Sequence, residues 1–142
     1  MKDGFDVVTD VRALLNTQNM LALLGTGGKV EPSVKSTAST VKGIVVNSIS
    51  VSNTPDQIGF GNVNCYAPAI SSTVNGKTVL LPDQASLSTL AKAVPPLIDG
   101  VYSASFRVWI EDAAVIMQDT DGSYFANIRF RYQSIQENFK NI

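Results

Sequence analysis

The chain contains no histidine among its 142 residues, and it has one cysteine and one tryptophan. Histidine serves as the base in most nucleophilic triads and as a frequent zinc ligand, so most hydrolase and zinc-enzyme classes are excluded. A single cysteine allows no disulfide within the chain, which fits a reducing compartment. Because its neighbours alternate as in a strand, Cys65 is predicted to be a buried, unreactive thiol rather than a nucleophile.

Charged residues are also scarce, at 16% of the chain, against roughly 25% in an average globular domain. The formal net charge is −1, and no basic cluster or tail is present. Strong sequence-independent binding to nucleic acid is therefore not expected. With 44% hydrophobic residues, the surface must be covered by Ser, Thr, Asn and Gln, or be partly hidden against partners.

Long apolar runs are absent too. No segment approaches the roughly 20 residues of a membrane span, and the first residues lack the charged and apolar regions of a signal peptide. We therefore expect a protein made in the cytoplasm, with no membrane partner. The length suits one domain that buries about 70% of its unfolded surface.

Residues 6–24 carry apolar side chains at helical spacing, which predicts an N-terminal helix with one stripe facing a core. Residues 16–19 interrupt the pattern, and residues 20–24 are open to interpretation as a second short helix or a turn. The glycine-rich residues 25–28 are predicted to end the helical region, because glycine adopts the positive φ found beyond helix C-termini. A phosphate-binding loop would instead need a helix after these glycines.

The next part of the chain predicts two paired strands. A short extended piece at residues 29–32 ends at a proline, and a Ser- and Thr-rich polar loop follows at residues 33–41. β-Branched residues at 43–51 and alternation at 61–67 predict strands that pair antiparallel. Turn-forming residues at 53–59 connect them.

Residues 68–82 form a long connection, and loops of this length in small domains are usually functional. The Asn75-Gly76 pair within it is a strong hairpin signal. It predicts a small projecting ribbon in which residues 72–73 pair with residues 78–79.

The last third of the chain gives the strongest signals. A helix is predicted over residues 83–94, capped by its first residue, an aspartate, and ended or kinked by the two prolines that follow. Strand-like runs at 101–118 and 123–136 then flank the turn residues 119–122 and predict a hairpin.

Alternation in this hairpin separates an apolar face from a polar one. The predicted apolar face comprises Phe106, Val108, Ile110, Ile128, Phe130 and Tyr132. Such a face must be covered, and the chain supplies about two helices for this. The predicted architecture is a single α+β domain over residues 1–142. Its mainly antiparallel sheet is covered on one face by two helices, in the order α-β-β-α-β-β with long loops.

The polar face of the hairpin carries the candidate functional residues Arg107, Trp109, Arg129 and Arg131. One interpretation is a solvated sheet face covered by long side chains. The other is an interface, where the arginines meet an acidic partner or form salt bridges between subunits. A tryptophan beside arginine is typical of interface hot spots, and a local core under the long connection is the alternative for Trp109.

Acidic residues offer weaker candidates. Glu111 and Asp112 are adjacent, so a regular strand points them to opposite sides, and a solvated or bulged pair is predicted rather than a catalytic one. Residues 119–122 resemble the start of a calcium loop, but no closing acidic ligand follows, so a hairpin turn is predicted. The sequence thus predicts no catalytic residue, no metal ligand and no cofactor.

The order of these segments resembles the tail terminator, or tail completion, proteins of long-tailed bacteriophages. The resemblance rests on element order over nearly the whole chain. It comprises a helix ending at 25–28, strands at 29–31, 43–51 and 62–68, a helix over 87–94, and a closing hairpin that ends at 127–132. The layout is also similar to small neck and head–tail joining proteins of the same phages.

The resemblance implies a subunit without catalytic residues or cofactors that assembles into a homo-oligomeric, six-fold ring. Such a ring would cap the tail tube in the virion, contact neck or connector proteins, and let DNA pass without sequence-specific binding. The near-neutral charge agrees with free passage of DNA. The resemblance also implies long loops that reach neighbouring rings, for which residues 33–41 and 68–82 are the candidates.

Two other functions remain open on the sequence alone. The first is a non-catalytic module that binds a small ligand or peptide in a pocket between helix and sheet, near Tyr66, Trp109 and Tyr124. The second is an enzyme that uses only carboxylates, with Glu111 as its candidate residue and a sugar as one candidate substrate.

Overall fold

Among the residues that the structure describes, six strands form one sheet and two further strands form a separate hairpin. The computed structural model describes residues 2–36, 40–52 and 57–134. The helices are α1 (Gly4–Leu15), α2 (Gln18–Leu24), α3 (Gln84–Ala93) and α4 (Pro95–Ile98). The strands are β1 (Val30–Pro32), β2 (Gly43–Val51), β3 (Ile58–Ala67), β4 (Ile70–Val74), β5 (Lys77–Leu81), β6 (Val101–Tyr102), β7 (Phe106–Gln118) and β8 (Tyr124–Ser134).

The large sheet has the strand order β1-β2-β3-β8-β7-β6, and the small one consists of β4 and β5. β1 runs parallel to β2, and the remaining neighbours run antiparallel. The protein is therefore a single small α+β domain with a mostly antiparallel sheet, as predicted. The predicted element order is incomplete, because it contains neither the β4–β5 hairpin nor the short strands β1 and β6 as elements of their own.

The predicted N-terminal helix is in fact two helices. α1 starts at a reciprocal cap, where the Asp6 N–H donates to Asp3 Oδ1 and the Asp3 N–H donates to Asp6 Oδ2, both at 3.0 Å. It ends at Asn16. The Thr17 hydroxyl then accepts from the Met20 N–H at 3.1 Å and caps α2. The interruption seen in the sequence is thus the junction between two capped helices.

The glycine-rich segment ends α2, as predicted. Gly25 is the residue at the C-cap, with a φ of 76°, and its N–H donates to the Leu21 carbonyl oxygen at 3.1 Å. A strand, β1, follows instead of a helix. The segment therefore lacks the helix N-terminus that a phosphate-binding loop requires.

β2 and β3 pair antiparallel, as predicted, from Gly43 opposite Tyr66 to Val51 opposite Gly59. β3 begins three residues earlier than predicted, at Ile58. Of the predicted turn at 53–59, residues 53–56 lie outside the described residues, and so do residues 37–39 of the predicted loop at 33–41. The described residues of that loop belong to no helix or strand.

The connection at residues 68–82 is mostly a hairpin rather than a loop. The predicted ribbon is confirmed, but each strand has five residues, from Ile70 opposite Leu81 to Val74 opposite Lys77. Both residues of its two-residue turn, Asn75 and Gly76, have positive φ, at 52° and 77°. This is the turn geometry that matches the twist of paired strands.

α3 follows the hairpin and begins as predicted. The Asp83 carboxylate accepts from the Ser86 hydroxyl at 2.7 Å and from the Ser86 N–H at 3.2 Å. These bonds hold the pKa of Asp83 below its usual range. α3 ends at Ala93, and Pro95 starts the short helix α4. The two prolines therefore interrupt the helical segment, as predicted.

The prediction of one strand over residues 101–118 is wrong, because Ser103 reverses the chain. Its N–H donates to the Phe106 carbonyl oxygen at 2.8 Å, and its hydroxyl oxygen accepts from the Phe106 N–H at 3.2 Å. β6 folds back onto β7 as a result, with Val101 opposite Val108. Local bonds from a serine side chain compete here with the extended conformation that the flanking residues favour.

β7 and β8 form the predicted hairpin, which runs from Gln118 opposite Tyr124 to Phe106 opposite Ser134. Residues 135 and 136 of the predicted second strand lie outside the described residues. The register shifts between Ile110 and Val115 of β7. The irregularity predicted at Glu111 and Asp112 is therefore confirmed as a bulge.

The aspartates of the β7–β8 turn serve the turn itself. The Asp119 N–H donates to the Ser123 carbonyl oxygen at 2.8 Å. Asp121 Oδ1 accepts from the Ser123 N–H at 2.9 Å and from its hydroxyl at 2.6 Å. The hairpin-turn interpretation of this segment is confirmed, since these carboxylates hold the chain reversal in place.

One buried cluster joins side chains from all four helices and from β1, β2, β3, β7 and β8. Of the predicted apolar face, Ile110 is half-buried. The other five residues are buried, namely Phe106, Val108, Ile128, Phe130 and Tyr132. In β3 the residues predicted to share one face, Val63, Cys65 and Ala67, are all buried, and Val63 and Cys65 belong to this core.

Cys65 provides a direct test of this core. Its side chain has no exposed surface, and burial raises the pKa of the thiol to about 12. We expect the native protein to react with a thiol reagent such as DTNB about 100-fold more slowly than the urea-unfolded chain, because only opened molecules expose the thiol. The Cys65→Ser variant is the blank. Equal rates in native and unfolded protein would contradict the buried position.

Candidate interaction surfaces

The four residues predicted as an interface lie together on the sheet face opposite the core. Trp109 lies directly across from Arg131 in the β7–β8 pair, and the Arg131 guanidinium carbon is 5.2 Å from the centre of the Trp109 ring. The Arg107 guanidinium carbon is 6.0 Å from the same ring, and its Nε donates to Gln133 Oε1 at 2.9 Å. Arg129 is two residues from Arg131 on the same face of β8.

Two aromatic residues that the sequence reasoning missed complete this surface. The Phe60 ring of β3 lies 6.0 Å from the Arg129 guanidinium carbon and 5.9 Å from that of Arg131. The Tyr102 ring of β6 lies 5.6 Å from the Arg107 guanidinium carbon. We call these six residues the arginine–aromatic face. Cation–π contacts at such distances contribute about 0.5–1 kcal/mol each at exposed sites, so they hold the arginine side chains against the sheet.

The arginine–aromatic face carries unbalanced positive charge. Within the described part of the chain, none of its three arginines forms a salt bridge, although Asp112 lies opposite Arg129 in register. The Nε atoms of Arg129 and Arg131 are buried and lack a hydrogen-bond partner there. Guanidinium groups that are held on an aromatic base and form no salt bridge there suit the carboxylates of a partner protein.

The β4–β5 hairpin presents a second surface, which is apolar. Its cross-strand pairs place Ile70, Val74, Val79 and Leu81 on one face, together with Ser72 and Lys77. Ile70 and Val74 are each 50% exposed and Leu81 is 41% exposed. The opposite face carries Ser71, Thr73 and Thr78, and also Leu80, which is 54% exposed. The hairpin thus keeps an unburied apolar face although aliphatic side chains are favourable to bury.

The far end of β7 presents a third surface. Residues 111–118 are exposed on both faces of the strand, and they include Val115, Ile116 and Met117 at 59%, 39% and 47% exposure. Among the described strands, β6 pairs only with Arg107 and Val108. One edge of β7 beyond these residues therefore has no strand beside it.

A groove of about 450 Å³ lies between α3 and this end of β7. Its walls are largely aliphatic, with Leu87 and Ala91 on α3 facing Ala114 and Ile116 on β7. Since no described strand covers the β7 edge, the groove is open to a partner from that side.

The pocket expected near Tyr66, Trp109 and Tyr124 does not form. Tyr66 lies opposite Phe125 of β8, whereas Trp109 lies opposite Arg131. These β8 positions are six residues apart, which is about 20 Å along a strand. The Tyr66 hydroxyl instead donates to Asp119 Oδ2 at 3.3 Å, and burial together with that carboxylate raises the pKa of Tyr66 to about 12.

The acidic candidates Glu111 and Asp112 lie exposed at the bulge of β7. Within the described residues, no three side chains of His, Cys, Asp or Glu are grouped closely enough to hold a metal ion.

A scan of the chain against known protein families gives no match, and a search among curated proteins gives none either. In the described parts of the chain, no helix combines the length and the apolar character needed to cross a membrane.

Proposed function

We propose that this chain is a structural virion protein, the tail terminator of a long-tailed bacteriophage. Copies of the chain form a ring at the head-proximal end of the tail and join the tail tube to the neck or connector. A neck or head–tail joining protein of the same phages is the close variant of this function. The order of helices and strands supports the proposal through its resemblance to these proteins.

The observation that carries an assembly role is the apolar surface left outside the domain. Of the 13 large hydrophobic residues that are exposed in the described part of the chain, seven lie on two strand segments, the β4–β5 hairpin and the end of β7, and the other six, such as Phe5 at 83%, lie elsewhere. Monomeric proteins rarely keep such surfaces free, and grouped apolar residues mark interaction sites. Burying the exposed half of an Ile, Val or Leu side chain contributes roughly 1 kcal/mol, so four such side chains favour association substantially.

The arginine–aromatic face supports the same role from another side. It has hot-spot composition, because Trp109 and arginine occupy its centre. Its charge suits acidic groups on the tail tube or on a neck protein. With a net charge of −1, the chain as a whole does not favour a strong grip on DNA, as a passage for the genome requires.

The proposed function predicts a defined oligomeric state. We expect a six-fold ring, as the resemblance to tail terminators implies. At 15.2 kDa per chain, six copies have a mass of about 91 kDa. Heterologous contacts close into such a ring when the rotation between copies divides the circle. Light scattering after size-exclusion chromatography measures the mass, and negative-stain electron microscopy shows whether a central hole exists. A chain that stays monomeric at high concentration, and also beside assembled tail tubes, would refute the proposed function.

A further inference from the structure

We propose that the β4–β5 hairpin of one copy adds as a strand to the open edge of β7 in the next copy, with its apolar face in the groove under α3. The inference rests on the proposed function, since it names the contact that joins neighbouring subunits. The occupant is a second copy of this chain, and the contact is head-to-tail.

The donor is a hairpin that lacks support within its own chain. Two-stranded hairpins are marginally stable alone in water. Here neither β4 nor β5 joins the large sheet, and the residues of both strands are exposed or half-buried. A hydrogen bond from the Tyr124 hydroxyl to the Leu80 carbonyl oxygen, at 3.3 Å, ties the base of the hairpin to β8. An added partner would stabilise both its unpaired edges and its apolar face.

The acceptor is the edge of β7 beyond Ile110, whose own N–H donates to Asp99 Oδ1 at 2.8 Å. Unpaired backbone N–H and C=O groups along such an edge are a template for strand addition. After the bulge, residues 115–118 pair regularly with β8, so they offer a straight edge of four residues. The five-residue strands of the hairpin match that length. This edge also lacks the lysine and proline residues that commonly block edge pairing.

The side chains agree with this pairing. In an extended sheet, the inward face of an added hairpin continues the inward face of β7. Ile116 is on that inward face and lines the groove, whereas Val115 and Met117 point to the other side. The apolar face with Ile70, Val74 and Leu81 would therefore meet the aliphatic walls formed by α3 and β7.

A second copy is the favoured occupant, because the chain carries both halves of the contact and uses neither within itself. The hairpin is exposed rather than folded into its own groove. Each copy would then donate one hairpin and accept another, and such a two-surface contact propagates from subunit to subunit until a ring closes.

A negative charge placed on the apolar face of the hairpin, or in the groove beside β7, tests the proposed contact between copies. We expect Val74→Asp on the hairpin and Ile116→Asp in the groove each to weaken association at least tenfold, measured by light scattering over a concentration series. Matched controls carry the same charge outside the contact: Thr73→Asp on the other face of the hairpin, and Thr89→Asp at an exposed position of α3 that does not line the groove. Both controls should assemble like the wild-type chain. Circular dichroism and thermal unfolding show which variants keep the fold.

Mixing the two defective variants gives the sharper result. Each keeps one intact half, so an equimolar mixture of Val74→Asp and Ile116→Asp should form a 1:1 dimer of about 30 kDa, two chains of 15.2 kDa each, while neither variant alone does. Hydrogen exchange adds a second readout, in which peptides covering 70–81 and 111–118 become protected only in the assembled protein. This second readout does not depend on any substitution.

The outcomes separate this inference from the proposed function. Normal assembly of Val74→Asp and Ile116→Asp, together with unprotected hairpin peptides in the wild-type assembly, would overturn the strand-addition contact and leave the ring role standing. Assembly that depends on both residues but yields no ring and no binding to tail tubes would overturn the ring role and support the strand-addition contact. A wild-type chain that never associates overturns both.

Discussion

Replacing Gly61 with alanine is expected to destabilise the protein by about 3 kcal/mol, the upper part of the range for overpacked cores. Gly61 lies in β3, where an added Cβ atom would be 2.3 Å from the Asn47 carbonyl oxygen and 2.4 Å from Cζ of Phe130. Neither neighbour moves easily, because one is backbone of β2 and the other is a fully buried ring. The methyl group must therefore push strands apart or displace the core.

Urea unfolding followed by circular dichroism measures this loss, and Gly43→Ala is the matched control. Gly43 is also a buried sheet glycine, but its added Cβ would meet Cε of Lys35 at 3.2 Å, the mobile part of a long side chain. The control should change stability by less than about 1 kcal/mol, as substitutions without a clash do. A Gly61→Ala variant as stable as the control would contradict the register of β2, β3 and β8.

A second substitution tells the two clashes apart. In a Gly61→Ala, Phe130→Leu double variant the phenyl ring is replaced by a smaller side chain. This removes the clash between the new Cβ and Cζ of Phe130 but leaves the clash with the Asn47 carbonyl oxygen. The pair is in direct contact, so the two effects should not add. We expect the double variant to be less destabilised than the sum of the two single variants.

The second large effect is a loss of stability in alkali. Burial, then the hydrogen bond to Asp10 and its charge, raise the pKa of Tyr132 above its ordinary value of 10.0, and burial raises that of Cys65 from 9.0 to about 12. The Tyr132 hydroxyl donates to Asp10 Oδ2 at 2.5 Å, and Lys2 Nζ contacts the same oxygen at 2.8 Å. The tyrosine side chain is fully buried.

The direction of this effect follows from proton binding. The unfolded chain loses the protons of Cys65, Tyr66 and Tyr132 near their ordinary pKa values of 9.0 and 10.0, whereas the folded chain keeps them to higher pH. Above pH 9 the folded state thus binds more protons, and the free energy of unfolding falls as the pH rises. Each group contributes a slope of up to about 1.4 kcal/mol per pH unit, and its contribution is fully retained below its ordinary pKa.

Urea midpoints at pH 8, 9, 10 and 11 measure the slope, and Tyr132→Phe isolates the tyrosine. The variant should be less stable at pH 8 by about 1 kcal/mol, since it loses the hydrogen bond to Asp10, but its stability should fall less steeply above pH 10. Tyr102→Phe, at a tyrosine that is 71% exposed, should leave the slope unchanged. If Tyr132→Phe retains the full wild-type slope, the tyrosine is not the buried acid described here.

Local features of the fold could be predicted from the sequence. The caps at Asp83 and Gly25, the Asn75-Gly76 turn and the aspartates at 119–122 each act on backbone groups within four residues. Such contacts depend little on the rest of the molecule, because their partners are already neighbours in the chain. The reversal at Ser103 is also local, but a serine beside strand-forming residues is too common a pattern to predict a break.

For the candidate surfaces, too, strand alternation could be predicted from the sequence, whereas the pairing of distant strands could not. Two-residue alternation alone placed Arg107, Trp109, Arg129 and Arg131 on one face of a hairpin. That Phe60 completes this face depends on β3 pairing with β8, across about seventy residues of chain, where Phe60 lies opposite Arg131. The pocket expected at Tyr66, Trp109 and Tyr124 failed for this reason, because composition does not reveal which ends of two strands meet.

The sequence by itself determined an α+β domain, its turns and caps, a buried cysteine and the polarity of each strand face, because these follow from neighbours and from periodicity. Only the tertiary structure decided which surfaces stay open. It set β4 and β5 apart from the sheet, ended β6 after two residues so that β7 has a free edge, and placed α3 beside that edge. Whether an apolar residue is exposed or buried depends on which distant segments of the chain pack against it, and no local sequence pattern specifies those segments.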